Sequence, residues 1–242
     1  MKVYYVPKKI IDYDAAKLLT GLRDHELIPV KTCDIPPLDP SFFVVSDVHL
    51  LDEICISQQI RFPKFPMFPS WLADYYGGTI ESYTWEEMSQ RKGGPDKFVK
   101  PHHKNSFRPF ISAFPYGRDI NPWEYMHVSE KCPVYIRNVL DIKQEWRVVI
   151  CDGEIVDICS YSRKNEFCNP DYDFIKEVVA KCIDNFVVPA FCVDVGLLEN
   201  NTMVVIELTP GIAFGSYGLS PIDYARVQTT SWEWNVNYSE KI

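Results

Sequence analysis

Residues 191–211, FCVDVGLLENNTMVVIELTPG, hold two β-rich apolar runs, each with one acid embedded in it. Asp194 sits in the first run and Glu207 in the second, and Gly196, Asn200 and Asn201 between them are turn formers, so the stretch predicts a β-hairpin. A carboxylate inside a buried strand is strongly disfavoured unless positive charge meets it. Two readings follow. Each acid pairs with its own nearby Lys or Arg, or the two share a cation, for which magnesium is the natural candidate because it prefers oxygen ligands and keeps water for a phosphate.

Working outward, residues 171–186 predict an amphipathic helix with Phe174, Val178, Val179 and Ile183 inward. Before it, Gln144-Glu145-Trp146-Arg147-Val148-Val149-Ile150 reads as a strand. Glu145 and Arg147 are two apart and project to one face. They form a buried pair, a modest cross-strand contact or part of an anion site. Asp152-Gly153 is a strong hairpin signal, returning into a strand over residues 154–159. Residues 134–139 are also strand-like. Lys97-Phe98-Val99-Lys100-Pro101 is a strand ending on a lysine, followed by His102-His103-Lys104-Asn105-Ser106-Phe107-Arg108. That loop is either a solvated basic loop or a phosphate cradle using Lys100, Lys104, Arg108 and backbone amides. Adjacent histidines are poorly spaced for metal ligation, and neither GxxxxGK[ST] nor GxGxxG occurs.

The first part of the chain predicts strand, helix, strand and helix. The strands fall at residues 2–6, 28–32 and 42–45, the last an apolar run suited to a central strand. Helices are expected at 12–26, 48–59 and near 70–76. The prolines within residues 62–69 exclude regular structure there. Thr84 and Glu87 have capping-box spacing at the start of a short helix. A small α/β lobe over residues 1–90 is expected. The tail, with Trp232 and Trp234, is expected to close the fold without chemistry.

At 242 residues, 46% hydrophobic and 24% charged, the chain is long enough for two lobes and has an ordinary globular composition. A net charge of −8 argues against a general nucleic-acid partner. No apolar run suits a membrane span or signal peptide, and eight scattered cysteines without CxxC fit a reducing, cytoplasmic setting.

Taken in order, Phe98-Val99-Lys100-Pro101, Glu145-Trp146-Arg147 with Asp152-Gly153-Glu154-Ile155-Val156, and Val193-Asp194-Val195-Gly196 leading to Val205-Ile206-Glu207-Leu208-Thr209-Pro210-Gly211 resemble the ATP-grasp superfamily. The match is nearest to the phage and bacterial clade predicted to modify peptides or small amines, and it spans roughly residues 95–220. The resemblance implies an α/β (α+β) ATP-grasp fold over residues 91–242, with a flap subdomain at about 91–133 and a C-terminal catalytic subdomain at about 134–242. The small lobe over residues 1–90 would precede it.

It also implies ATP and magnesium as cofactors. Lys100 would contact the α/β-phosphates, with residues 102–108, including Lys104 and Arg108, as the flap. The backbone around Tyr135, Ile136 and Arg137 would receive adenine, and Glu145 would join the ATP-binding set. Arg147 would face the γ-phosphate or an acyl phosphate, while Asp194, Glu207 and Thr209 hold magnesium. Thr209 stands where many members have asparagine, and the flap lacks the usual glycines. Arg137, Arg163 and Ser216 are candidate substrate contacts. The implied reaction joins a carboxylate to an amine through an acyl phosphate, on a small-molecule or peptide substrate. The alternatives are an ATP-binding assembly chaperone with a protein partner and a kinase-like phosphotransferase.

Overall fold

The computed structural model describes residues 1–7, 12–91, 95–102, 106–112, 125–160, 168–212 and 214–241. They form two compact units, one of Met1–Pro66, Gln144–Gly196 and Ile206–Ile242, the other of Met67–Lys143 and Leu197–Val205.

The first unit opens with β1 (Lys2–Tyr5), α1 (Tyr13–Gly21), β2 (Glu26–Pro29), β3 (Phe42–Val45) and α2 (Val48–Ser57). The strands form a parallel sheet in the order β2-β1-β3. Asp12 caps α1, its side chain accepting the Ala15 N–H at 2.8 Å. The helix ends at Gly21, several residues before its expected end, because Glu26 already pairs in register with Lys2. Every residue of β3 is buried, yet the strand lies at the sheet edge and β1 is central. An unbroken apolar run reports coverage on both faces, not the number of strand neighbours. The cover comes from α5 (Pro221–Asn237), whose Trp232 ring packs edge-on against Phe43 at 5.6 Å. That helix was not expected. It approaches α1 so closely that a Cβ on Gly21 would lie 1.9 Å from the Pro221 carbonyl oxygen. A two-stranded ribbon, β4 (Ile60–Arg61) with β13 (Glu240–Lys241), completes this part.

A four-stranded sheet runs in the order β10-β9-β11-β12, from β9 (Ile142–Cys151), β10 (Glu154–Ser160), β11 (Ala190–Leu198) and β12 (Met203–Pro210). Asp152 and Gly153 both take positive φ, 53° and 79°, the geometry a two-residue hairpin turn requires. β11 continues through Gly196, an expected turn residue, so the connection to β12 is shorter than its composition suggests. α4 (Tyr172–Asn185) buries Ile175, Val178, Val179 and Cys182. Its inner face is thus rotated from the expected one, with Ile183 exposed. Among the described residues no helix is long and apolar enough to cross a membrane.

The second unit holds β5 (Ile80–Thr84), α3 (Trp85–Ser89), β6 (Lys97–Pro101), β7 (Phe110–Ser112) and β8 (Pro133–Asn138), as an antiparallel sheet in the order β5-β8-β6-β7. Thr84 and Glu87 form the expected capping box at the start of α3. One sheet face puts Val99, Val134 and Ile136 into a core with Met88 and Phe107. The helix expected near residues 70–76 is a 3-10 helix over Ser70–Tyr75.

Candidate functional site

Charge is concentrated where β9 and β11 lie side by side. Alternation puts Val149 and Cys151 of β9 and Ala190 and Cys192 of β11 into the first unit's main core. The next positions in the same alternation are Arg147 and Asp194, so the pair extends a face that begins as core. Arg147 is 5% and Asp194 1% exposed. The guanidinium donates from Nε to Oδ1 at 2.7 Å and from the terminal nitrogen NH2 to Oδ2 at 2.6 Å, a bidentate pair. Burial by itself pulls the Arg147 pKa down. Hydrogen bonding and the charge of Asp194 outweigh that and hold it above the ordinary arginine range. The spacing in sequence offers Glu145 as the acid beside Arg147; the buried pair is made instead with Asp194, across the sheet. The Tyr217 ring lies over the guanidinium face, its centroid 4.5 Å from Cζ.

On β12, next to β11 in the sheet, Glu207 is half-buried and Thr209 buried. A carboxylate offers about four lone-pair sites, so Asp194 retains acceptor capacity beyond its two bonds to Arg147. Among the described residues no group of three His, Cys, Asp or Glu side chains is placed to hold a metal ion. Magnesium, however, is commonly held by one or two carboxylates and completes its shell with phosphate oxygens and water. The donor chemistry of Asp194, Glu207 and Thr209 fits an ion of that kind and not a closed structural metal site. Ser216 is fully buried, and its hydroxyl has no partner among the described residues.

In the second unit, Lys100 pairs in register with Tyr135, and Phe98 with Arg137. These side chains occupy the sheet face opposite the Val99 and Ile136 core. Lys100 is 8% exposed, a rare burial for lysine. His102 stacks on Tyr135 at 3.6 Å between ring centroids, with its Nε2 2.9 Å from Ser82 Oγ. Arg137 is buried and donates to the Tyr76 carbonyl, tying β8 to the end of the 3-10 helix. Desolvation brings its pKa down to about 10, opposed by its charge interaction with Tyr76.

β8 is an inner strand, paired with β5 on one side and β6 on the other. The backbone groups of Tyr135, Ile136 and Arg137 therefore serve the ladders, where the sequence resemblance had them receive adenine. Ile136 points into the core. Glu145 is half-buried on β9, and Arg108 is exposed, its carbonyl accepting the Tyr125 hydroxyl at 3.4 Å. Lys104 and Arg163 lie outside the described residues. Sequence reasoning did not single out Tyr217 or the His102–Tyr135 stack, because a ring that meets a charge across elements leaves no local spacing signal.

A family model described as ATP-grasp domain, R2K clade family 2, matches residues 75–227, well over half of the chain. No curated protein matches in sequence. Among solved structures, a RimK domain ATP-grasp protein from Sphaerobacter thermophilus DSM 20745 is similar at TM-score 0.54 and 13% identity, covering 98% of this chain and 100% of its own. D-alanine–D-alanine ligase from Bacillus anthracis, complexed with ATP, gives 0.51 and 12%, covering 98% and 96%. The macrocyclase MdnC from Microcystis aeruginosa MRC, bound with precursor peptide MdnA, gives 0.50 and 12%, covering 98% and 100%. At these identities the likeness is one of fold.

Proposed function

The chain belongs to the ATP-grasp domains of R2K clade family 2, and from that premise we propose that it is an ATP-dependent ligase joining a carboxylate to an amine, with a peptide or amino-acid substrate. The observation that carries the reading is that Lys100, Glu145, Arg147, Asp194 and Glu207 all fall on strands within the matched span. Of these, Lys100, Arg147 and Asp194 are buried, and buried charge is unfavourable unless it is paired or used. The peptide substrate is suggested by the similarity in fold to a macrocyclase bound with its precursor peptide.

The chemistry requires activation, because an amine does not displace oxide from a carboxylate. A substrate carboxylate oxygen attacks the γ-phosphorus of ATP, the bond to the β-phosphate oxygen breaks, and ADP leaves. The resulting acyl phosphate is attacked at carbon by the amine nitrogen. The C–O bond to phosphate then breaks, and the nitrogen gives its proton to solvent. Asp194, Glu207 and Thr209 would hold magnesium, which would supply charge neutralisation for the phosphates. Lys100, inside the matched span, is assigned to phosphate oxygens. Arg147, held in one orientation by Asp194, presents charge to the γ-phosphoryl group as it transfers. Preorganised cations of this kind stabilise the transition state without a covalent protein group.

Hydroxylamine tests this directly, since it intercepts an acyl phosphate as a hydroxamate. Incubation with ATP, magnesium and pools of amino acids and peptides is expected to give hydroxamate together with ADP, and Glu207→Gln to give neither above background. A stable phosphorylated product that resists hydroxylamine would instead indicate phosphotransfer. ATP binding without ADP release across the pools would indicate an assembly factor.

A further inference from the structure

We propose that Tyr217 is a positioning residue for Arg147, braced by α1 so that its ring fixes the guanidinium plane. This role rests on the ligase reading in one respect, that Arg147 faces the γ-phosphoryl group.

Tyr217 has φ 41°, in the left-handed region, where a bulky residue is an outlier that persists only if its surroundings enforce it. The enforcement comes from both sides of the residue and from one helix. The Ser216 N–H donates to Asp14 Oδ1 at 3.0 Å, and Lys17 Nζ donates to the Tyr217 carbonyl at 3.3 Å. Asp14 and Lys17 lie one turn apart on α1. The Leu219 N–H closes the turn on the Ser216 carbonyl at 3.0 Å. What this constrained loop delivers is an aromatic ring over the guanidinium of Arg147. Asp194 holds that guanidinium by one edge and Tyr217 covers one face, so rotation about the edge is opposed and tilting toward the ring is blocked. A cation fixed in this way meets a terminal phosphate in one geometry, which favours ATP over ADP.

The test is calorimetric titration of the full chain with ATP and with ADP, each with magnesium, on the parent, Tyr217→Phe and Tyr217→Gly. The parent is expected to prefer ATP, and Tyr217→Phe, which keeps the ring face, to retain that preference. Tyr217→Gly is expected to lose about three- to tenfold of it, as removal of a cation–π contact implies, with ADP affinity unchanged. Glycine adopts this φ without strain, so loss of the ring contact is expected to lower the variant's thermal midpoint only modestly. Three results would overturn the role: no ATP preference in the parent, the full preference kept in Tyr217→Gly, or equal losses for both nucleotides in the variants. A parent that binds neither nucleotide would overturn the ligase reading itself, and this role with it.

Discussion

Asp194 is 1% exposed, and its charge is tolerated there because Arg147 meets both of its oxygens. Removing one partner of such a pair is far worse than removing both. Arg147→Met is therefore expected to lower stability by about 3–5 kcal/mol, while Arg147→Met combined with Asp194→Leu recovers most of the loss. Urea denaturation of the parent, both single variants and the double variant measures this, and additive losses would show that the two charges act independently. Thiols set a second expectation. Burial pushes Cys182 up to about 12, and burial with nearby acids pushes Cys55 (Asp52) and Cys159 (Asp157) up to about 11. In the unfolded chain these thiols lose their protons near their ordinary value, while in the fold they stay neutral. The unfolded state thus binds fewer protons above about pH 9, and stability falls as pH rises, by up to about 1.4 kcal/mol per pH unit for Cys182. Arg137, held at about 10, acts in the opposite sense only above that pH. Urea midpoints between pH 7.5 and 10 check the trend, and Cys182→Ala should flatten it. Both charged residues of this pair were visible in the sequence, because a charge inside an apolar run stands out. Pairing of Asp194 with some nearby Lys or Arg was one of the two readings open, but its partner was not legible, since the spacing along β9 offered Glu145 as the acid beside Arg147.

The helix α4 shows what periodicity can and cannot resolve. Periodicity establishes that the helix exists, but two adjacent apolar stripes compete for the inner face. The fold buries Ile175 with Val178, Val179 and Cys182. Ile175→Ala is expected to cost about 2–5 kcal/mol, whereas Ile183→Ala should change stability by less than about 0.5 kcal/mol. Reversal of that order in chemical denaturation would place the face where the sequence reading had it. α5 escaped notice for a different reason. Its buried side includes Gln228, Ser231 and Asn235, which break the apolar pattern. Their needs are met locally, Asn235 donating to the Ser231 carbonyl at 2.7 Å and Gln228 to the Phe214 carbonyl at 3.3 Å. The contact of α5 with α1 depends on Gly21 having no side chain. Gly21→Ala is expected to destabilise by at least about 1–3 kcal/mol, the range for overpacking a tight contact, and an unchanged melting midpoint would contradict it.

Across the whole molecule, the chain passes three times through one compact unit and twice through the other. Composition along a line does not register that interleaving. What the sequence does carry is the order of its charged strands, and that order sufficed for the family, because a family pattern is linear even when its units are not. The aromatic cover on Arg147 is the opposite case, since it depends on a backbone conformation that no motif announces. The reading of the chain as a nucleotide-dependent ligase stands or falls on magnesium-linked ATP binding through Glu207. Thermal unfolding should be followed with ATP, with and without magnesium, in the parent and in Glu207→Gln. At about a hundred times the dissociation constant, a ligand confined to the folded state adds roughly 2.7 kcal/mol. For a chain of this size that raises the midpoint by roughly 5–10 °C. The parent is expected to show that rise only with magnesium, and Glu207→Gln to fold normally and lack it. No rise in the parent, or an equal rise in the variant, would contradict the account.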